Sequence, residues 1–382
     1  MKAGWEVKTL NQIAENLDSK RVPITKTDRT EGHYPYYGAS GIVDYVGSYI
    51  FECDTLLISE DGANLLARST PIAFPATGKY WVNNHAHILK FDNFVTQRYV
   101  ELYFESIPLD DYVTGAAQPK LNQKALNSIP IPVPPFAEQQ RIVAILDQAF
   151  EGIAKARANA EQNLQSARAL FESHLQSIFT QHDHEWEKKR LGNVVTRLTN
   201  GYVGPTRNIY NDSGVPYLLA RHVKNNQLLF DGKTFITEEF NRKNKKSILK
   251  EDDVLLVQSG HIGHSAVVTK EHEGHNCHAM IVISAVKDTF IGSFLSLFFN
   301  SSEMKQKFQE IRSGSTVPHL TCGEVKELMV PLPNLATQQV IVNSVREFQK
   351  KTQRLEALYQ RKIACLDELK KSLLQQAFAG DL

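Results

Sequence analysis

The chain is expected to be an α+β protein in which two similar α/β globules are joined by two long helices that pair as an antiparallel coiled coil with pseudo-two-fold symmetry. Three observations predict this. The sequence repeats once with a period near 200 residues, the first part of each repeat mixes short β-rich runs with turn residues, and the last part changes to helical periodicity.

The repeat can be read from both ends. With Gly115 set against Gly314, an offset of 199 also matches Pro119 with Pro318, Pro132 with Pro331, Gln139-Gln140 with Gln338-Gln339, and Phe179 with Phe378. "GWEVKTLNQIAE" from Gly4 and "EWEKKRLGNVVT" from Glu185 match at an offset of 181, which pairs Trp5 with Trp186 and Pro35-Tyr36 with Pro216-Tyr217. The second copy therefore carries 18 more residues between shared ends. Inside it, "NCHAMIV" at Asn276 echoes "NNHAHIL" at Asn83, and "DVLLV" at Asp253 echoes "DTLLI" at Asp54. Two copies of so long a unit are a duplicated domain pair, because a solenoid stacks at least about three shorter ones.

In chain order, the domains are expected at 1–134 (first globule), 135–182 (first long helix), 183–332 (second globule) and 333–382 (second long helix). Runs such as "DTLLISE" and "AMIVISAV", bounded by Gly, Asn and Asp, have strand composition. After the Pro-rich lead-in, apolar residues recur in steps of mostly three and four, among them Ile142, Leu146, Ile153, Ala160 and Ala167. In the second copy they include Ile341, Val345, Leu355, Leu366 and Leu369. Pro135 and Pro333 suit helix starts, since the N–H that proline lacks has no partner in a first turn. Gly380 suits a helix stop. From Phe136 to Phe179 a straight helix runs about 66 Å at about 1.5 Å per residue, too long for a small globule to cover. Each helix is therefore the natural partner of the other, with Ala149, Ala156, Ala160 and Ala167 narrowing one seam for bulkier residues opposite. Closure about a two-fold axis makes the pair antiparallel.

Composition removes several function classes. At 382 residues with 42% hydrophobic and 22% charged content, the chain can build two cores and is not a disordered segment. The longest apolar stretches, 279–286 and 290–299, fall short of the roughly 18 to 20 residues of a membrane span. "MKAGWEVKTLNQ" has no signal-peptide core, so a soluble cytoplasmic protein is expected. Its 4 cysteines lack metal or disulfide-framework spacing and read as reduced thiols. A net charge of +1 is not that of a freestanding nucleic-acid binder, so any positive surface must be local or supplied by partners.

Catalytic motifs are imitated and not met. "VPPF" resembles an amino-methyltransferase core, but Val133 stands where an amine-accepting Asn or Asp is needed, and no Gly-rich S-adenosylmethionine loop follows a strand. "SGHIGHS" lacks the Lys and the spacing of a phosphate loop. His272, His275, Cys277 and His278 look like a metal cluster. His278, however, belongs to an N-x-H-A repeat whose counterpart, His85, has no Cys beside it, so a structural strand histidine is expected, with no metal and no catalytic residue.

The order of segments resembles the DNA-specificity subunit of Type I restriction-modification enzymes. A globule precedes "PIPVPPFAEQQRIVAILD" and a long helix; a second globule opening "EWEKKRLG" precedes "PLPNLATQQVIV" and a helix ending "LLQQAFAGDL", over essentially the whole chain. The resemblance implies that each globule is a target-recognition domain reading half of a bipartite sequence in double-stranded DNA, with the paired helices fixing the gap. It implies docking to two modification (methyltransferase) subunits and to restriction (motor-nuclease) subunits. It also implies a non-catalytic chain that binds no cofactor, S-adenosylmethionine, ATP and Mg belonging to the partner subunits. The docking candidates are Glu138, Gln139 and Gln140, and Gln338 and Gln339; Glu138 has Thr337 as its counterpart.

Residue chemistry supplies the DNA-contact candidates beside that resemblance. They are Lys20 and Arg21 in "SKRVPITKTDR", Tyr37 and Ser40 in "YGASG", and Lys120 in "TGAAQPK". In the second copy they are Arg207; Arg221, His222, Lys224 and Asn225 in "LLARHVKNN"; Gln258, His261 and His264 around "SGHIGHS"; and Ser315, Thr316 and His319 in "SGSTVPH". Arg and Lys donate to guanine O6/N7 or to phosphate, and Asn, here Asn225 or Asn226, pairs with adenine. The alternative is a double-headed scaffold that binds no DNA. It predicts like surfaces on both heads, whereas the sequence has like helices and unlike heads, as two readers on one frame require.

Overall fold

The structure, a computed structural model, describes the whole chain apart from residues 1, 3, 116, 182–184, 225, 287 and 313–317. Two helices of 46 and 45 residues, Phe136–Gln181 and Leu335–Ala379, are its longest elements, each roughly 70 Å from end to end. The chain divides into two compact units, Met1–Glu161 with Gln360–Leu382, and Gln162–Tyr359. Each unit thus holds one globule and half of each long helix.

The first unit contains strands β1 (Glu6–Lys8), β2 (Glu15–Asn16), β3 (Glu31–Gly38), β4 (Gly41–Val46), β5 (Phe51–Glu52), β6 (Thr55–Ser59), β7 (Ala73–Ala76), β8 (Lys79–Val82), β9 (Ala86–Lys90) and β10 (Ile131–Val133). One four-stranded sheet has the order β2-β9-β6-β7 and the other β4-β3-β8-β5, while β1 and β10 form a separate antiparallel ribbon. All five residues of β6 are buried, as a central strand covered on both faces requires. Helix Phe94–Ser106 is capped by Asn93, whose side chain accepts from Thr96 N, and packs Tyr99, Leu102 and Phe104 into the core.

The second unit repeats this plan with β11 (Lys188–Arg190), β12 (Val195–Asn200), β13 (Tyr210–Asn211), β14 (Val215–Leu218), β15 (Val223–Lys224), β16 (Gln227–Leu228), β17 (Phe235–Ile236), β18 (Val254–Val257), β19 (Ser265–Val267), β20 (Asn276–Cys277), β21 (Met280–Ala285) and β22 (Met329–Pro331). The sheet β12-β21-β18-β19 matches β2-β9-β6-β7, and the ribbon β11·β22 matches β1·β10. The parallel pair β14·β20 corresponds to the parallel pair β3·β8. The β15–β16 hairpin lies within the stretch where the offset between the copies changes.

Both long helices contribute to the core of each unit. In the first, Ile142, Val143 and Leu146 join Leu374 and Ala377, and Arg157 bonds to Asp367. In the second, Leu175 and Phe179 join Val342 and Val345, His174 packs its ring on Phe348 at 4.3 Å, and Arg168 lies 3.2 Å from Glu356. Ala160, Ala167 and Thr352 are buried, whereas Leu355 and Leu369, expected on the seam, are exposed. Two steps of four from Phe348 pass through Thr352 and Glu356 and miss Leu355, so helical phase, not side-chain apolarity, selects the seam.

The first glutamine of each repeated pair has an internal role. Gln139 is buried; its Nε2 donates to Pro134 O at 2.9 Å and its Oε1 accepts from Thr96 Oγ1 at 2.9 Å. Gln338 is buried as well; its Nε2 donates to Pro333 O at 2.8 Å and Thr289 O at 3.2 Å, and its Oε1 accepts from Ile291 N at 2.9 Å. Each amide therefore ties the start of a long helix to its Pro-rich lead-in and to the start of an earlier helix of the same unit. This corrects the expectation that Gln139 and Gln338 face a partner, since their polar atoms are spent inside the chain. Gln140 and Gln339 are exposed.

Candidate DNA interface

In the first unit, four segments meet at the carboxyl ends of β3, β6 and β8. Ser59 Oγ donates to Ala39 O, Asn83 N donates to Tyr37 O at 3.0 Å, and Glu60 N donates to His85 O at 2.9 Å. Leu121 N donates to Glu60 O at 2.8 Å and Gly62 N to Pro119 O at 2.9 Å. These bonds fix the 39–41 tip, 60–62, 83–85 and 119–121 as one surface. Ser40 and Lys120 are exposed on it, and Lys120 Nζ lies 3.1 Å from Glu60 Oε1. His85 Nδ1 is 2.8 Å from Asp61 Oδ2.

Behind this surface lies a charged network. Arg21 donates to Glu60 Oε2 at 2.6 Å and Ala86 O at 2.9 Å, and His87, almost wholly buried, spans Asp18 Oδ2 at 2.6 Å and Leu121 O at 2.8 Å. Burial pushes the Asp18 and Glu60 carboxyls upward, but hydrogen bonds from His87 to Asp18, and from Arg21 and Lys120 to Glu60, outweigh it and hold both below the usual carboxylate range. Arg21 is thus corrected from a DNA contact to an internal counter-ion, its donors being committed. Tyr37 stacks on Phe74 and meets Tyr80 edge-on, so its ring faces the core. Lys20 is exposed, 3.8 Å from Glu15.

The second unit builds the equivalent surface with other side chains. His278 N donates to Leu218 O at 2.9 Å and Leu320 N to Gln258 O at 2.9 Å. The bridge Ser259↔His319 stands where the first unit has Asp61↔Lys120. His261 is exposed, with its ring 5.6 Å from that of His264. His264 lines a 330 Å³ cleft with Asn226, Asn300 and Lys305, beside Arg168 and Glu356 of the long helices. Burial, then the charge of Lys305, holds the His264 imidazole below its ordinary range. Arg221 is half exposed, with Nε 3.3 Å from Asp231 Oδ2. Arg207 and Lys224 are exposed.

Two further expectations give way to burial. His222 is 1% exposed, accepts from Leu219 N at 3.0 Å and lies 3.1 Å from Asp231, which takes it out of reach of a ligand. Gln258 is 7% exposed. Asn226 is turned inward, its Oδ1 accepting from Ser296 Oγ and from Asn300 Nδ2. Asn225, Ser315 and Thr316 lie outside the described residues. Of the metal-like cluster, His272 Nδ1 is 2.8 Å from Thr269 Oγ1 and its ring meets that of His275 at 5.5 Å. Among the described residues no group of three or more His, Cys, Asp or Glu is placed to hold a metal ion, and no helix is long and apolar enough to cross a membrane.

One pair on this surface escaped the sequence reading. The repeated N-x-H-A histidine was expected inside a strand, yet His85 stands after β8 with its side chain 45% exposed and faces Asp61. The available signal was the repetition of that histidine in both copies.

Comparison with known proteins gives a consistent answer. The family model described as "Type I restriction modification DNA specificity domain" matches residues 2–162 and again 183–363. A protein of Haemophilus influenzae described as a type I restriction enzyme specificity subunit is 27% identical over 359 residues, spanning 91% of this chain and 88% of the relative. The MjaIX specificity subunit of Methanocaldococcus jannaschii is 23% identical over 417 residues, with 99% and 93% covered. Among solved structures, a chain from a study of complex assembly and conformational transition of the type I R-M system superposes with a TM-score of 0.77 at 17% identity, covering 100% of this chain and 99% of that one. The HsdS subunit of Thermoanaerobacter tengcongensis gives 0.57 at 15% identity, covering 100% and 98%. Both curated relatives are described as specificity subunits of type I restriction enzymes. With both globules matched and all but a small part of its length accounted for, the chain belongs to the Type I restriction-modification DNA specificity family and carries its domain twice.

Proposed function

We propose that this chain is the sequence-reading subunit of a Type I restriction-modification complex, each globule reading one half of a bipartite target in double-stranded DNA. The observation that carries the reading is the equivalence of the two strand-end surfaces in backbone and their difference in side chains: Ser40, Asp61, His85 and Lys120 in the first, Arg221, Ser259, His261 and His319 in the second. A common frame with unlike polar groups suits two heads that recognise different bases. The proposed DNA contacts are Lys20, Ser40, Lys120, Arg207, Arg221, Lys224, His261, His264 and His319, with Asn225, Ser315 and Thr316 kept as candidates on their residue chemistry alone.

The long helices act as an antiparallel spacer with pseudo-two-fold symmetry. The order of contacts supports this, since residues near 141–157 meet 367–382 in the first unit and residues 168–174 meet 348–356 in the second. Two modification subunits dock along these helices, with Glu138, Gln140 and Gln339 among the exposed or partly exposed polar groups near the helix starts, and restriction subunits join that complex. S-adenosylmethionine, ATP and Mg belong to those partners and none to this chain. The complex works in the cytoplasm. The modest net charge fits partners that share in phosphate neutralisation.

The test is to express the chain with its cognate modification subunit in a methylation-free host and map methylated adenines by single-molecule sequencing. The expected result is one motif of two short half-sites around a fixed gap, absent when this chain is omitted. The same motif without the chain would remove the proposed role and favour the scaffold.

A further inference from the structure

We propose that Asp61, oriented by His85, is a specificity-determining residue of the first unit that accepts a hydrogen bond from the exocyclic amino group of one target base, adenine N6 or cytosine N4. The proposal rests on the DNA-reading function set out above and names a chemistry for one position of one half-site.

Placement comes first. Asp61 lies two residues past the buried end of β6, on the surface where the 39–41 tip, the 83–85 turn and the 119–121 segment are bonded together, and its backbone forms a bridge with Lys120.

The geometry of the pair then fixes what it offers. His85 Nδ1 lies 3.0 Å from Asp61 Oδ1 and 2.8 Å from Oδ2, so one ring nitrogen sits astride the carboxylate and sets its plane. The Asp61 side chain is 14% exposed and that of His85 45%, which leaves the carboxylate edge at the surface and not sealed in the core. A carboxylate has about four acceptor positions, and one imidazole donor does not use them all. What remains is a fixed acceptor on a surface that meets DNA. It repels phosphate as well as guanine O6 and thymine O4, and among groups in the major groove it suits an amine.

Comparison with the second unit separates this from a structural Asp–His pair needed by the frame. His278 is the repeated histidine there by sequence, although the bond from its N to Leu218 O sets it where the first unit has Asn83, and the position bridged to His319 holds Ser259. His278 faces a tyrosine, its Nδ1 lying 3.5 Å from Tyr217 Oη. The frame therefore closes without a carboxylate, and the acid is particular to one head, as a reader of one half-site must be.

The test uses the full chain with its modification subunit in the same methylome experiment, comparing wild type with Asp61→Asn and Asp61→Ser. An amide in place of the carboxylate both donates and accepts, so Asp61→Asn is expected to widen a single position of one half-site from adenine to adenine or guanine, or from cytosine to cytosine or thymine. Which widening appears identifies the amine. Discrimination of about 10- to 100-fold between the two bases is expected to fall toward equality, with the other half-site and the gap unchanged. Asp61→Ser, which copies the residue of the second unit, is expected to relax the same position. An unchanged motif in both variants would overturn the proposal while leaving the bipartite function intact; a wild-type protein with no bipartite motif would overturn both. Loss of the thermal unfolding transition in both variants would also overturn it, by making the pair a structural one.

Discussion

Gln139 and Gln338 show how a single side chain can join two elements. Each amide satisfies a proline carbonyl and a group at the start of an earlier helix from a buried position. Gln139→Ala and Gln338→Ala leave those groups without partners in the interior and are expected to cost about 1–3 kcal/mol each. Gln140→Ala and Gln339→Ala, at exposed positions, are expected to stay within about 0.5 kcal/mol of wild type. Urea unfolding of the four variants checks the contrast. The sequence marked these pairs by their repetition, but repetition says only that a position matters in both copies. Which glutamine points inward depends on the helical phase after the proline, and the docking assignment of Gln139 and Gln338 went wrong there. Arg21 was misread for a related reason: its partner Glu60 is 39 residues away, and nothing local announces that its charge is spent. Asp61 and His85 were not paired in advance because they approach only through the folding of separate strands.

The long helices were the most legible elements, since apolar steps of three and four sustained over more than forty residues admit few other readings. Their seam was less so. Leu355 and Leu369 are the side chains that hydrophobicity would choose, yet Thr352 is buried and Glu356 pairs with Arg168. If the helices are a spacer, removing one heptad from each preserves the seam, because seven residues are two turns of a coiled coil. It shortens the pair by about 10 Å at about 1.5 Å per residue. The gap between half-sites is expected to shrink by about three base pairs, at about 3.4 Å each, with both half-sites retained. Methylation mapping of the double deletion reads this directly, and an unchanged gap would count against the helices as the ruler.

Across the whole molecule, the duplication predicted two globules of one design, and the sheet orders of both units have that design in common at their centres. What the repeat could not show is how differently the two copies respond to acid. In the second unit, burial holds His222, His264, His272, His275 and His278 below the ordinary imidazole range, His275 at about 4. Burial favours the neutral ring in the folded state, so unfolding takes up protons once the pH drops below about 6.5. The stability they allow is present above that pH and is lost as the pH falls below it, for His275 down to about 4. In the first unit the depressed carboxyls of Asp18 and Glu60 favour the folded state above about pH 4 and lose that contribution only below it. Between pH 6.5 and 4.5 the second unit is expected to loosen while the first holds, as amide hydrogen exchange resolved by unit would report, and His275→Phe is expected to flatten the slope. The ribbons β1·β10 and β11·β22 have a different consequence. They set the incoming and outgoing strands of each globule side by side, about 4.8 Å apart. A globule is therefore an insert with both leads in one socket: exchanging the segment between the two ribbon strands would replace a head in one piece, provided the newcomer keeps an apolar face for Ile142, Leu146, Leu374 and Ala377, and under the proposed reading such an exchange would change the half-site while the spacer is inherited unchanged.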